Sequence, residues 1–234
     1  MNIFPESVST YGSGIDNLFW LILAFAGTAF VISLFLLLYP LFKNHHTRVK
    51  RASYITGSLG KFHFKLVAVA MLIMAMSDFI ILFAEHSTWE AFTTLPKQKD
   101  VEYIVTGRQW NWIFTYPGRD GVFGTADDVV IDEPNSELHV PINKNAFFQL
   151  KAKDVVHSFF VVNTRLKQDC IPGRTITRWI NFTKEGKYDI SCAEICGIAH
   201  TKMRNFIVVE SNEKYDHFID SLYNQQAATA GNQQ

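Results

Sequence analysis

The 234-residue sequence has no net charge to offer a partner: 22 Lys and Arg balance 22 Asp and Glu. Without a basic excess it lacks the electrostatic footprint of a nucleic-acid binder. Cysteine is scarce, with only Cys170, Cys192 and Cys196. So few thiols, in an odd number, argue against a disulfide-stapled secreted scaffold. No Lys or Arg precedes Lys43, so residues 1–17 lack the basic opening of a signal peptide. There is no C-x-x-C-H, hence no fused c-type heme domain. Internal repeats are absent, and low complexity is confined to residues 224–234, which are expected to be disordered.

What is present begins with two long apolar runs. Leu18 to Phe42 holds no charged residue, enough to cross a hydrocarbon core of about 30 Å. A second run, Leu66 to Ala84, is interrupted only by Asp78. The expectation is a transmembrane hairpin over 18–85, with helices at about 18–42 and 64–84. Lys43, Arg48, Lys50, Arg51, Lys61 and Lys65 fall between the runs with no acid among them. By the positive-inside rule that loop is cytoplasmic, and both termini are extracytoplasmic. A carboxylate within a span is costly, so Asp78 faces either protein or water. The hairpin is therefore expected to pack against other protein as well as membrane lipid.

From Val101 the pattern becomes short alternating runs bounded by turns, the mark of antiparallel β-structure. Strands are expected at 101–106, 110–116, 137–142, 146–151, 155–162, 175–182, 188–191 and 205–210, with a short helix at 215–223. Eight strands in about 110 residues imply a sandwich or Greek-key barrel. The residues from Glu85 onward hold 16 Lys and Arg against 19 Asp and Glu, a mildly acidic balance that attracts a basic partner weakly.

Three stretches of this domain carry candidate chemistry. In Arg108–Tyr116, alternation puts Trp110, Trp112, Phe114 and Tyr116 on one face. Burial in the core is the plain reading, and an exposed docking tryptophan the sharper one. The loop 117–128 is rich in Gly and Asp. Asp120, Asp127 and Asp128, with Asp132 and Glu133 beyond, offer oxygen ligands of the kind calcium takes, although Asp-Gly is equally good turn chemistry. The third stretch is S-C-A-E-I-C-G-I-A-H-T-K-M, which spaces Cys192, Cys196, His200 and Met203 as C-x3-C-x3-H-x2-M. Thiolates with imidazole and a weak thioether suit electron-transfer copper. A disulfide or a structural zinc site remains open on this loop alone. His157, inside the β-forming run Asp154–Val162, is available to complete the site from a distant strand, and Cys170 reads as a buried free thiol.

Q-W-N-W, D-V-V-H-S-F, D-C-I-P-G-R and C-A-E-I-C-G-I-A-H-T-K-M, behind a two-helix anchor, resemble subunit II of the heme-copper cytochrome c oxidases. The resemblance implies that residues 86–223 form an all-β, cupredoxin-like Greek-key barrel carrying a dinuclear copper centre, CuA. It implies that Cys192 and Cys196 bridge both coppers and that His157 and His200 each cap one. Met203 would be a weak ligand and Glu194 would contribute its backbone carbonyl. The Glu194 side chain would also reach a magnesium ion at the interface with subunit I, with Asp169 nearby. Trp110 would be the point where electrons enter from a cytochrome c. The implied partners are subunits I and III and the donor cytochrome, with heme only in subunit I. The implied place is the bacterial inner membrane, domain and termini on the periplasmic side, the mitochondrial inner membrane being the alternative. The sequence departs from the family at Gly57–Lys65, which lacks the acid found in many relatives, and at Asn111, where an aromatic is common. Rivals are a copper-free quinol oxidase subunit, a nitrous oxide reductase and a membrane-anchored zinc module.

Overall fold

The computed structural model describes residues 3–45, 47 and 61–231. Most of the basic loop and the Gly57–Gly60 stretch lie outside that set. The chain divides into two compact units. One joins the residues up to Ser13 to those from Thr93 onward, and the other is Gly14–Phe92.

The second unit is a pair of helices, most of α1 (Gly12–Lys43) and α2 (Lys61–Thr93). Both run longer than the expected spans at each end. At 1.5 Å per residue the 32 residues of α1 extend about 48 Å, ample to cross a bilayer. Neither helix buries its apolar window, as a core helix would. Each is apolar on every side, which is what lipid or a neighbouring subunit accepts. Asp78 is exposed on α2.

The first unit is built from ten strands. They are β1 (Val101–Arg108), β2 (Asn111–Tyr116), β3 (Val129–Ile131), β4 (Glu137–Pro141), β5 (Asn145–Ala152), β6 (His157–Val161), β7 (Leu166–Cys170), β8 (Ile176–Asn181), β9 (Gly186–Cys192) and β10 (Arg204–Glu210). They form two five-stranded sheets, β3-β2-β1-β5-β8 and β4-β10-β9-β6-β7, the cupredoxin-like two-sheet arrangement expected. The purely antiparallel expectation needs correction, because β1 pairs with β5 and β4 with β10 in parallel. Alternation reports which face is buried, not the direction of the neighbouring strand. β3 and β7 were not expected; β3 is three residues long, and β7 holds the polar run Lys167–Gln168–Asp169.

The core between the sheets is aromatic. Trp112 of β2 meets Phe159 of β6 edge-on at 5.6 Å, and Phe159 meets Phe148 of β5 at 5.9 Å. All three are fully buried. Each such side chain stabilises the fold by roughly 1.5–3 kcal/mol through removal from water.

Two segments outside the sheets are fastened to this unit. The described residues before α1 include a strap. Val8 donates to the Asn163 carbonyl at 2.8 Å and accepts from the Thr183 N–H at 2.9 Å, while Ser9 bridges Phe182. Val8 and Tyr11 are buried. At the other end α3 (Asn212–Gly231) begins at Ser211, whose carbonyl accepts from Tyr215 at 3.0 Å. The expectation of disorder over 224–234 is corrected as far as Gly231. Tyr223 donates to the Pro117 carbonyl at 2.7 Å and Gln226 to the Asp128 carbonyl at 2.8 Å. The polar tail was legible as low in complexity, but the loop that receives it lies a hundred residues away.

Candidate metal centre

Four segments meet at one rim of the sandwich. β6 brings His157, the end of β9 brings Cys192, the following loop brings Glu194 and Cys196, and a 3-10 turn at 200–202 brings His200 just before Met203. The loop is shaped by Gly197, which adopts φ +128°. A Cβ there would stand 3.1 Å from the Trp110 indole nitrogen and 2.9 Å from the Gln109 amide. Gly107 on β1 is needed for space alone, because a Cβ would lie 2.8 Å from the His157 ring.

The sulfurs of Cys192 and Cys196 are 3.8 Å apart, both thiols free. That is nearly twice the S–S bond length of about 2.05 Å, so no disulfide closes the loop. Nδ1 of His157 lies 4.0 Å from Cys192 Sγ, and Nδ1 of His200 lies 3.6 Å from Cys196 Sγ. The Met203 thioether is 3.8 Å from Cys196 Sγ, and the Glu194 carbonyl is 3.2 Å from Cys192 Sγ. Ligands sharing one tetrahedral ion, at about 2.3 Å for sulfur and 2.0–2.1 Å for nitrogen, stand roughly 3.5–3.8 Å from each other. The Cys192–Cys196 and Cys196–His200 spacings fall at or near that range, and the 4.0 Å of His157 and the 3.2 Å of the Glu194 carbonyl lie on either side of it. The donor atoms of His157, Cys192 and Cys196 lie within 4.8 Å of one another, and His200 falls outside that group. Among the described residues no other group of three such donors exists.

Electrostatics split the thiol pair. Burial opposes ionisation at both. At Cys192 contacts with His157 and the backbone of Ser158 and Glu194 overcome it and pull the thiol down. At Cys196 burial and the charge on Cys192 together push the thiol up. Ionising one thiol therefore opposes ionising the other, and a metal held by both would displace the remaining proton. Burial works against the His157 imidazolium, but Cys192 and Asp154 more than compensate and raise it. Cys170 is buried and its thiol is pushed up to about 12 by burial, consistent with an inert thiol.

The calcium expectation finds no support. Asp120 accepts the Val122 N–H at 2.8 Å, Asp128 the Gly124 N–H at 2.7 Å, and Asp127 the Thr125 hydroxyl at 2.7 Å. These carboxylates serve the turn itself. Glu194 is exposed, and neither it nor Asp169 belongs to a group of three metal donors among the described residues, so magnesium is equally unsupported.

Trp110 lies just outside β2 and is 38% exposed, whereas Trp112, Phe114 and Tyr116 are buried. Ile195 and Ile198 on the metal loop are 85% and 94% exposed. Sequence reasoning assigned no role to Asp154 or Gln109. Asp154 accepts from Nε2 of His157 at 2.8 Å, and Gln109 donates to the Cys196 carbonyl at 2.6 Å. The available signal was a carboxylate three residues before a candidate ligand histidine, because metal-bound imidazoles usually give their second nitrogen to an acceptor. Asn111 is buried and donates to Asp132 at 3.1 Å, so the missing aromatic is replaced by a polar tie.

The family model for cytochrome c oxidase subunit II, periplasmic domain, matches residues 101–212. An alternative cytochrome c oxidase subunit 2 of Bradyrhizobium diazoefficiens is 30% identical, over 88% of this chain and 78% of that protein. The chain belongs to the cytochrome c oxidase subunit II family. A cytochrome c oxidase subunit 2 of Thermostichus vulcanus is 41% identical over 57% of this chain, but the match spans only 36% of that relative. The solved periplasmic domain of subunit II of the Bradyrhizobium japonicum cytochrome oxidase shares 26% identity. It covers 56% of this chain and 99% of that one, with a TM-score of 0.49. Membership implies a copper site, and the cysteine–histidine rim has the donor chemistry and the spacing for one. Together with the two apolar helices, it fits a membrane protein of the bacterial oxidase kind.

Proposed function

We propose that this subunit II is the electron-uptake subunit of a proton-pumping terminal oxidase, accepting electrons from a cytochrome c at a dinuclear copper centre. The observation that carries the reading is the spread of the donors. Two unbonded sulfurs sit 3.8 Å apart, with the two imidazoles nearest different sulfurs and His200 outside the close group. One tetrahedral ion would draw both histidines into a single group, whereas a pair of ions bridged by Cys192 and Cys196 leaves one histidine for each. Met203 and the Glu194 carbonyl then lie beside different sulfurs as weak outer donors.

When bound, a thiolate-bridged copper pair supplies a one-electron acceptor that rearranges little between its two states. The chain's own residues do the rest. β6 and β9 hold His157 and Cys192 on the sheet, and the loop between β9 and β10 carries the remaining donors, the kind of support a preorganised site requires. His157 is fully buried, which keeps water from its ring, while half-exposed Trp110 offers an indole to an incoming donor. Exposed Ile195 and Ile198 give the loop an apolar surface suited to a partner subunit, where electrons pass onward near His200 to a heme in subunit I for reduction of oxygen.

The strap before α1 and the strands after α2 belong to one compact unit, which supports a hairpin whose two ends share one side of the membrane. With the basic loop inside, that side is the periplasm of a bacterial cell. A metal analysis of the purified complex tests the reading: two coppers per chain support it, and one zinc per chain contradicts it.

A further inference from the structure

The carboxylate of Asp154 joins His157 of β6 to the turn between β1 and β2. One oxygen, Oδ1, accepts from Nε2 of His157 at 2.8 Å and from the Val155 N–H at 2.7 Å. The other, Oδ2, accepts the peptide N–H of Gln109 at 2.8 Å. Gln109 then makes a second link, its side-chain amide donating to the Cys196 carbonyl at 2.6 Å. The next residue is Trp110, whose indole nitrogen lies against Gly197, directly after Cys196. The Trp110 segment is thus held at two points, each one step from a thiolate or imidazole donor.

We propose that Asp154 and Gln109 are positioning residues that clasp the Trp110 segment to His157 and Cys196, so that one set of contacts fixes both the copper environment and the path by which electrons enter. The inference rests on the copper reading above. Asp154 is exposed and resembles a docking charge for a basic donor, but both its oxygens already accept hydrogen bonds from within the chain. With Nδ1 of His157 turned toward Cys192, Nε2 carries the proton that Asp154 accepts. A carboxylate there makes the imidazole a stronger donor, which favours the oxidised metal. The Asp154→Asn amide keeps the size but has one acceptor oxygen, so either Gln109 or His157 loses its partner.

The test uses the full chain in detergent, loaded with copper, with reduced mitochondrial cytochrome c as the donor probe. For Asp154→Asn the expected results are a reduction potential above wild type and a copper affinity lowered about 10- to 100-fold. The saturating electron-uptake rate falls, while the half-saturating donor concentration and its salt dependence stay put. Gln109→Leu, at an exposed position, lowers the saturating rate and leaves the potential unchanged. Wild-type potential and affinity in Asp154→Asn, with a raised half-saturating concentration and weaker salt dependence, overturn the clasp and make Asp154 a docking charge. If Asp154→Asn does not fold, Gln109→Leu decides, and an unchanged saturating rate overturns the proposal. A wild-type chain without a two-copper spectrum overturns the copper reading and the clasp together; an intact wild-type spectrum with unaltered variants overturns the clasp alone.

Discussion

The His157 ring occupies the space that a side chain at position 107 would need. A Cβ on Gly107 would lie 2.8 Å from two of its ring carbons. Any larger residue at this point of β1 would force a shift, and His157 is held from behind by backbone.

Gly107→Ala is expected to push His157 off its position. Overpacking at such a contact costs about 1–3 kcal/mol. Copper affinity should fall together with thermal stability, read by metal titration and thermal unfolding of the same samples. Wild-type affinity in this variant would mean that β1 yields and the ligand does not.

Loading with copper should depend on pH in one direction. Cys196 is pushed up by burial and by the neighbouring Cys192 charge, so near neutral pH its proton must leave when metal binds. Fewer protons remain to be displaced as pH rises, so apparent affinity rises, by up to about tenfold per unit for each proton released. Affinity titrations at several pH values, with proton release followed in weak buffer, check the sign. Affinity that falls on raising the pH would contradict it.

Trp110→Ala is expected to slow electron uptake on the order of tenfold, equivalent to about 1.4 kcal/mol of barrier, with the copper spectrum intact. Stopped-flow kinetics with a reduced c-type cytochrome measure it. Trp110 is 38% exposed, so normal folding is expected alongside. Wild-type kinetics would leave Trp110 a surface residue with no role in transfer.

Tyr223→Phe removes the hydrogen bond from α3 to the Pro117 carbonyl. The loss is expected to cost about 1 kcal/mol, seen as a lower denaturant midpoint with an unchanged slope. An unchanged midpoint would mean that Gln226 and the Arg119–Tyr223 stacking hold the helix without it.

Much of this was legible in the sequence because its signals are local. Uncharged runs mark helices for lipid, and the spacing of Cys192, Cys196, His200 and Met203 places their donors in one loop. Alternation found eight of the ten strands, yet could not give the parallel pairing of β1 with β5, since direction is set by where connections lead. β7 stayed hidden behind the polar side chains of Lys167, Gln168 and Asp169. Asp120, Asp127 and Asp128 looked like ligands because turn-forming and calcium-binding aspartates have the same composition; only their partners tell them apart. The tie of Asp154 to Gln109 bridges 45 residues, a distance over which no motif speaks.

The most direct test of the two-copper reading is an electron paramagnetic resonance spectrum of the full chain loaded with copper, recorded beside Cys196→Ser. The expected wild-type signal is mixed-valence, with hyperfine splitting from two equivalent copper nuclei, and it is lost in a Cys196→Ser chain that remains folded. A colourless zinc-loaded chain, or a single-copper signal unchanged by the substitution, would contradict the two-copper centre.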